Sequence, residues 1–245
     1  MRPCLSSRVV TFAVVALLAV ASGVNAAITT TFSSGLEGWE GPTGIGGSTF
    51  IDNTLGNAAP SLRTIFNDFG ITFSNSSNAN FIGDYTTDPA VTISIDTYTS
   101  FLNFFGIDAT RDFIVELRDF DNPEPGYPWT SVWYNLGTLD ASNPGWHSWS
   151  VTIADTSAAA LPAGWGGYGA EDPNTFEPIL PPGRTFTSVL AGVDEIAFTT
   201  LVPGFFFGFT DHDVAVDNIT LKRVPEPATT GLVLIGASLL LRRRR

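Results

Sequence analysis

The chain has 245 residues, 44% of them hydrophobic and 15% charged, with 24 acidic and 12 basic side chains. Residues 27–224 carry 23 of the acidic and six of the basic side chains, so nucleic acids and anionic lipids are unfavourable partners. The one cysteine, Cys4, precedes this region, which therefore has neither a disulfide nor a cysteine nucleophile. Its hydrophobic content is too high for a disordered chain and sufficient for one substantial core.

The N-terminus has the pattern of a secretory signal peptide. Two arginines precede an apolar run from Val9 to Val20, which is too short to span a bilayer. Small residues then occupy the −3 and −1 positions of a cleavage site between Ala26 and Ala27. The alternative is an uncleaved N-terminal anchor. Residues 1–26 are therefore predicted to be a signal peptide that directs the rest of the chain out of the cytoplasm.

The C-terminus, residues 224–245, combines three different segments. Val224, Pro225, Glu226 and Pro227 precede an apolar stretch from Ala228 to Leu241. As a helix this stretch would span about 21 Å, less than the roughly 30 Å of a bilayer's hydrocarbon core. Clustered arginines resist translocation, so a short membrane helix would be held with its charged end inside and the preceding domain outside. The cluster consists of Arg242, Arg243, Arg244 and Arg245.

This arrangement resembles the PEP-CTERM sorting signal of Gram-negative bacteria. Pro225-Glu226-Pro227 matches the motif residue by residue, and the apolar segment and the arginines follow in the same order. The resemblance implies two processing partners, signal peptidase and an exosortase-type enzyme, with transient anchoring in the inner membrane. It also implies co-occurrence with exopolysaccharide-producing systems and a final location at the cell surface or outside the cell. It implies no activity.

The central domain, residues 27–223, is predicted to be all-β. Apolar and polar residues alternate over stretches such as Val91–Asp96, and the apolar run from Phe101 to Ile107 predicts a strand buried on both faces. One helical turn is expected over Thr185–Gly192, and a β-bulge near Asp217-Asn218 would bring the apolar residues of the last strand to one face. About ten strands without interspersed helices predict a two-sheet antiparallel β-sandwich, jelly-roll-like in order. The predicted signal peptide and a short C-terminal hydrophobic helix flank it.

Short motifs of the domain resemble jelly rolls of the carbohydrate-binding-module and laminin-B type. They are the opening Phe32…Gly35-Leu36-Glu37-Gly38-Trp39 and the closing Val216-Asp217-Asn218-Ile219-Thr220-Leu221. The resemblance implies a structural Ca²⁺ held by Glu37 and Asp217. Ca²⁺ takes six to eight oxygen ligands, which carboxylates and backbone carbonyls can supply. The alternatives are an unrelated sandwich, with Glu37 as a solvated turn residue and Asp217 as a local cap of the bulge.

Aromatic residues in or beside loops are candidate sugar-binding groups. Trp129 follows a proline-rich turn, and Trp165 and Tyr168 lie in a glycine- and proline-rich stretch, Asp155–Arg184. A connection of that length without secondary structure is uncommon unless it is functional. Exposed rings can stack on the C–H faces of sugars, although packing in the core is the more usual fate of tryptophan. All three are candidates for stacking on a glycan, and Trp165 and Tyr168 are expected to be exposed because they lie in the glycine-rich stretch.

No catalytic residues are predicted. The two histidines, His147 and His212, belong to no nucleophile or metal-ligand motif, and the sequence has no Gly-x-Ser-x-Gly elbow. The sequence thus predicts an exported surface or extracellular-matrix protein that is structural or contacts a glycan without catalysis. A glycoside-active enzyme with paired carboxylates and an adhesion component without glycan binding are the alternatives.

Overall fold

The computed structural model describes residues 27–205 and 208–224, which fold mainly as strands with one short helix, α1 (Phe186–Leu190). The strands are β1 (Ile28–Thr30), β2 (Trp39–Glu40), β3 (Gly47–Asp52), β4 (Ser61–Asp68), β5 (Thr72–Asn75), β6 (Ala90–Phe104), β7 (Ile107–Asp108), β8 (Thr110–Asp119), β9 (Thr130–Asp140), β10 (Trp146–Ile153), β11 (Trp165–Tyr168), β12 (Ala170–Glu171), β13 (Pro178–Ile179), β14 (Glu195–Thr199) and β15 (Thr210–Val224).

The strands form two antiparallel sheets. The first has seven strands in the order β10-β6-β15-β4-β3, with β1 added to β15 and β7 added to β6. The second has six strands in the order β11-β9-β8-β14-β5-β2, and β12 and β13 form a separate hairpin. The predicted all-β, two-sheet antiparallel sandwich is confirmed.

The core lies between the two sheets and follows the alternation of the sequence. In β8, Phe113, Val115 and Leu117 point into the core, while Glu116 and Arg118 lie on the opposite face of the six-stranded sheet. Each fully buried large apolar side chain contributes about 1.5–3 kcal/mol relative to exposure. Because the apolar side chains of β8 fill the core, its polar side chains lie on the outer face of the six-stranded sheet. There they can contact residues of neighbouring strands and connections.

The predicted bulge in the last strand is confirmed. The pairing of β15 with β6 shifts register between Asp217 and Thr220, and Asn218 has a positive φ of 49°. As a result Val216 and Ile219, which have opposite parity in the sequence, are both completely buried.

The predicted helical turn is also confirmed. Thr185 caps α1 through a capping box with Ser188, and the Gly192 amide donates to the Val189 carbonyl just after the helix. The helix packs Phe186 and Val189 into the core.

The prediction for Phe101–Ile107 is wrong. The run ends β6 and turns through a hairpin into β7, with Phe105 81% and Ile107 70% exposed. Leu102 is the member that enters the core. An apolar run does not by itself distinguish a buried strand from a hairpin, and this one leaves aromatic side chains at one end of the sandwich.

The predicted signal peptide, its cleavage site and the sorting motif from Pro225 onward lie outside the described residues. Val224, which the sequence assigned to the sorting signal, ends β15 and pairs with Ala90. In the part of the chain that the structure describes, no helix has the length and apolar character needed to cross a membrane.

Candidate functional site

Trp165 is not exposed, so the prediction for this ring is wrong. The glycine-rich segment around it forms β11, an edge strand paired with β9. Strand alternation points Trp165 inward, where it is 9% exposed and packs edge-on against Phe186 at 5.1 Å between ring centroids. The same alternation points Tyr168 outward.

The structure brings Trp129 and Tyr168 together on the outer side of the six-stranded sheet. Their ring centroids are 6.2 Å apart, although 39 positions of sequence separate them. Tyr127 contacts Tyr168 at 5.3 Å, and Phe120 contacts Trp129 at 6.1 Å. We call these four residues the aromatic platform. All four rings are partly exposed, so they form a continuous row that a ligand can reach.

A buried ionic network supports the aromatic platform from below. Glu116, 3% exposed, accepts hydrogen bonds from Nε and Nη2 of Arg118 at 2.8 and 2.7 Å. It also accepts from the Trp129 indole N–H at 3.1 Å and from the Ser131 hydroxyl at 2.5 Å. The Arg118 guanidinium lies 4.1 Å from the centre of the Trp129 ring and pairs with Glu195 at 2.5 Å. The Arg118 charge is paired with two carboxylates, and the network fixes the orientation of Trp129.

The phenols of the platform stay protonated at neutral pH. Burial, and then the negative charge of Glu116, raises the pKa of Tyr168 above its ordinary value. Burial followed by the charge of Glu171 raises the pKa of Tyr127. Both hydroxyl groups are therefore neutral and can donate hydrogen bonds as well as accept them.

One ion pair and one backbone hydrogen bond hold the segment that carries Phe120. Arg184 pairs with Asp119, and the Phe120 amide donates to the Asp194 carboxylate at 2.8 Å. The segment between β8 and β9 is thus tied to both neighbouring connections, and the aromatic platform rests on fixed backbone.

Sequence reasoning missed four of the residues at this site: Glu116, Arg118, Phe120 and Tyr127. The polar residues at alternate positions of apolar β8 were a usable signal, because a buried carboxylate and arginine in adjacent outward positions need partners. The position of Phe120 and Tyr127 depends on the fold of the connection, which no periodicity reveals.

The two residues predicted to bind calcium have separate surroundings. Asp217 is completely buried and accepts hydrogen bonds from the Asn57 and Asn218 amides at 2.8 and 2.7 Å. Glu37 accepts from the Thr30 hydroxyl at 3.3 Å. Within residues 27–205 and 208–224, no group of three or more acidic, histidine or cysteine residues could hold a metal ion. The calcium site stays a prediction.

The histidines do not contribute to the aromatic platform. His147 lies in β10 and His212 in β15, both in the seven-stranded sheet. Burial lowers the pKa of His212 to about 4, so this side chain is neutral at neutral pH.

Three solved structures illustrate what the fold is similar to. A family 22 carbohydrate-binding module joined to the GH10 module of a Clostridium thermocellum xylanase, complexed with xylohexaose, matches with 13% identity and a TM-score of 0.43, covering 80% of this chain and 28% of that one. A C-terminal family 22 module from Clostridium thermocellum matches with 9% identity and a TM-score of 0.42, covering 80% and 92%. A family 30 module of a Clostridium thermocellum cellulase matches with 13% identity and a TM-score of 0.43, covering 77% and 92%.

No protein-family model matches this chain. No curated protein sequence matches it significantly. With TM-scores below 0.5, the structural similarities do not assign a ligand to it.

Proposed function

We propose that this protein contacts an extended saccharide through the aromatic platform and does so without catalysis. The single observation that supports this most strongly is the meeting of Trp129 and Tyr168, from a connection and an edge strand distant in sequence, in one row of partly exposed rings. Rings of this kind offer flat apolar faces and polar edges, the combination that matches the C–H faces and hydroxyls of sugars.

The support beneath the rings favours binding. Trp129 is held by a hydrogen bond to Glu116 and by the stacked guanidinium of Arg118, so binding would cost little side-chain ordering. Glu116 and Glu195 are both engaged by Arg118, an arrangement that supports a positioning role for these carboxylates.

The proposal is tested by measuring how tightly the full-length chain binds exopolysaccharide. Binding can be measured by affinity electrophoresis or by depletion of the protein from solution. Trp129→Ala and Tyr168→Ala are each expected to weaken binding about tenfold, the effect of losing about 1.4 kcal/mol of stacking. Phe50→Ala removes a partly exposed ring from β3 of the other sheet and is the matched control. If both platform variants bind as well as the original chain, an adhesion role without glycan binding replaces this proposal.

We further propose that an exosortase-type system sorts the protein to the cell surface or the extracellular matrix. The Pro225-Glu226-Pro227 motif, the apolar stretch Ala228–Leu241 and the terminal arginines support this assignment. Fractionation of the tagged protein from cells with and without the sorting enzyme provides the test. Accumulation in the membrane fraction without the enzyme is expected, and an unchanged distribution would contradict sorting.

A further inference from the structure

We propose a second binding site at one end of the sandwich, which takes a sugar carrying a single carboxylate, of the uronate class. The site is a cavity of about 530 Å³, lined by the end of β6, by β7, by the start of β8 and by Val202, Phe205 and Gly208 of the connection between β14 and β15. We call it the tip cavity. It is separate from the aromatic platform and does not depend on the function proposed above.

The cationic group of the tip cavity is Arg111, the one arginine of residues 27–205 and 208–224 that forms no ion pair with a carboxylate. The guanidinium donates to the Thr110 carbonyl at 2.8 Å and to the Thr210 hydroxyl, and its buried Nε has no hydrogen-bond partner among the described residues. Each of the other arginines pairs with at least one carboxylate: Arg63, Arg118, Arg184 and Arg223.

An unpaired arginine is unusual in this domain because acidic side chains outnumber basic ones by 23 to six. Partial burial of an unpaired charge is unfavourable, and here burial lowers the pKa of Arg111. Such a group gains most from an anion that enters the cavity, and a planar carboxylate matches the fork of a guanidinium.

The walls of the tip cavity indicate what else the ligand carries. Phe104 and Ile107 provide partly exposed apolar faces, and Asp108 and Asp112 provide carboxylates at exposed positions. The two carboxylates disfavour a ligand with several negative charges and can accept hydrogen bonds from hydroxyl groups. A sugar with one carboxylate can contact all three kinds of group. An aliphatic acid offers no hydroxyl group to Asp108 or to Asp112, whose carboxylate already accepts one hydrogen bond from the Thr138 hydroxyl at 3.1 Å.

The test is calorimetric titration of the full-length chain with D-glucuronate, D-glucose and hexanoate. Glucuronate is expected to bind, with glucose and hexanoate each about tenfold weaker or more, because each lacks one part of the recognised chemistry. Glucose binding as tightly as glucuronate would overturn the role of Arg111. Hexanoate binding as tightly would overturn the assignment to a sugar, and failure of glucuronate to bind at millimolar concentration would overturn the site.

Variants locate the binding. Arg111→Gln is expected to weaken glucuronate binding about tenfold or more, while Lys222→Gln removes the same charge from an exposed position of β15 and should leave it unchanged. Phe104 is a partly exposed residue in the wall of the tip cavity, and Phe104→Ala is expected to weaken glucuronate binding severalfold. This second variant tests the site if Arg111→Gln does not fold. Unchanged glucuronate affinity in a folded Arg111→Gln or in Phe104→Ala would overturn the site.

Discussion

Arg118 and Arg111 lie on the same strand, β8, but the protein uses their charges in opposite ways. Arg118 faces outward, pairs with Glu116 and Glu195, and supports the ring of Trp129. Arg111, at the start of the strand, is an even number of positions from the core residue Phe113. It lines the tip cavity and forms no ion pair with the described residues. The first charge is neutralised within the protein and serves to position an aromatic ring.

The difference between the two arginines separates a structural role from a binding role. A charge that is buried and fully paired is part of the fold, and removing it leaves its partners unneutralised. A charge that is partly buried and unpaired adds little to the fold and can be used by a ligand. Variants of the two residues should therefore affect different properties.

The largest expected effect is on stability, from Arg118→Gln. Removal of this guanidinium leaves two adjacent carboxylates without their cation, which is expected to lower the free energy of unfolding by about 3–5 kcal/mol. Arg111→Gln removes hydrogen bonds but no ion pair, and is expected to cost about 1 kcal/mol. Denaturant titration measures both, and equal losses would contradict the division of roles.

The neighbours Trp165 and Tyr168 sharpen the same comparison within β11. Trp165→Ala removes a core ring and is expected to cost about 3 kcal/mol of stability, the lower end of the range for such truncations because the ring is 9% exposed. Tyr168→Ala should cost less than this and should instead weaken saccharide binding. Thermal melting of the two variants provides the measurement, and an equally large loss for Tyr168→Ala would place its ring in the core.

Buried ionisable groups without an oppositely charged partner should give the protein a characteristic pH dependence. Burial raises the pKa of Asp217 from 3.8 to about 6, so its contribution to stability falls as pH rises through this interval. Burial lowers the pKa of His212 from 6.5 to about 4, so its contribution rises as pH rises through the corresponding interval. The two effects, each about 2–3 kcal/mol, oppose each other between pH 4 and pH 6.

Single variants separate the two titrations. Asp217→Asn is expected to make stability rise more steeply with pH between 4 and 6, and His212→Phe is expected to make it rise less steeply or fall. Urea titrations at several pH values give the slopes. Identical slopes in both variants and the original chain would show that neither group titrates as described.

The alternation of apolar and polar residues in β8 made the strand predictable, because successive side chains of a strand point to opposite faces. In β15 the apolar residues change from even to odd positions, and this change made the bulge predictable. Trp165 was misjudged because Gly166 and Gly167 provide no side chains from which an alternation could be read. The run at Phe101–Ile107 was misjudged because a hairpin and a buried strand can have the same apolar composition.

The ionic partners at the site could not be predicted for a different reason. Glu195 is 77 positions from Arg118, and the pair exists because β14 lies next to β8 in the sheet. Sequence reasoning found Trp129 and Tyr168 as candidates, but their meeting also depends on the order of strands. That Arg111 forms no ion pair with a carboxylate of the described residues, although Asp108 and Asp112 line the same cavity, is equally a property of the assembled end of the sandwich.

The most direct test of the central claim is a nuclear magnetic resonance titration of the tryptophan indole N–H signals with the exopolysaccharide or its oligosaccharides. The Trp129 signal is expected to shift and saturate, because its N–H is hydrogen-bonded to Glu116 beneath the aromatic platform. The signals of Trp39 and Trp165, both in the core, should not move. Saturable binding that leaves the Trp129 signal unchanged would contradict the account.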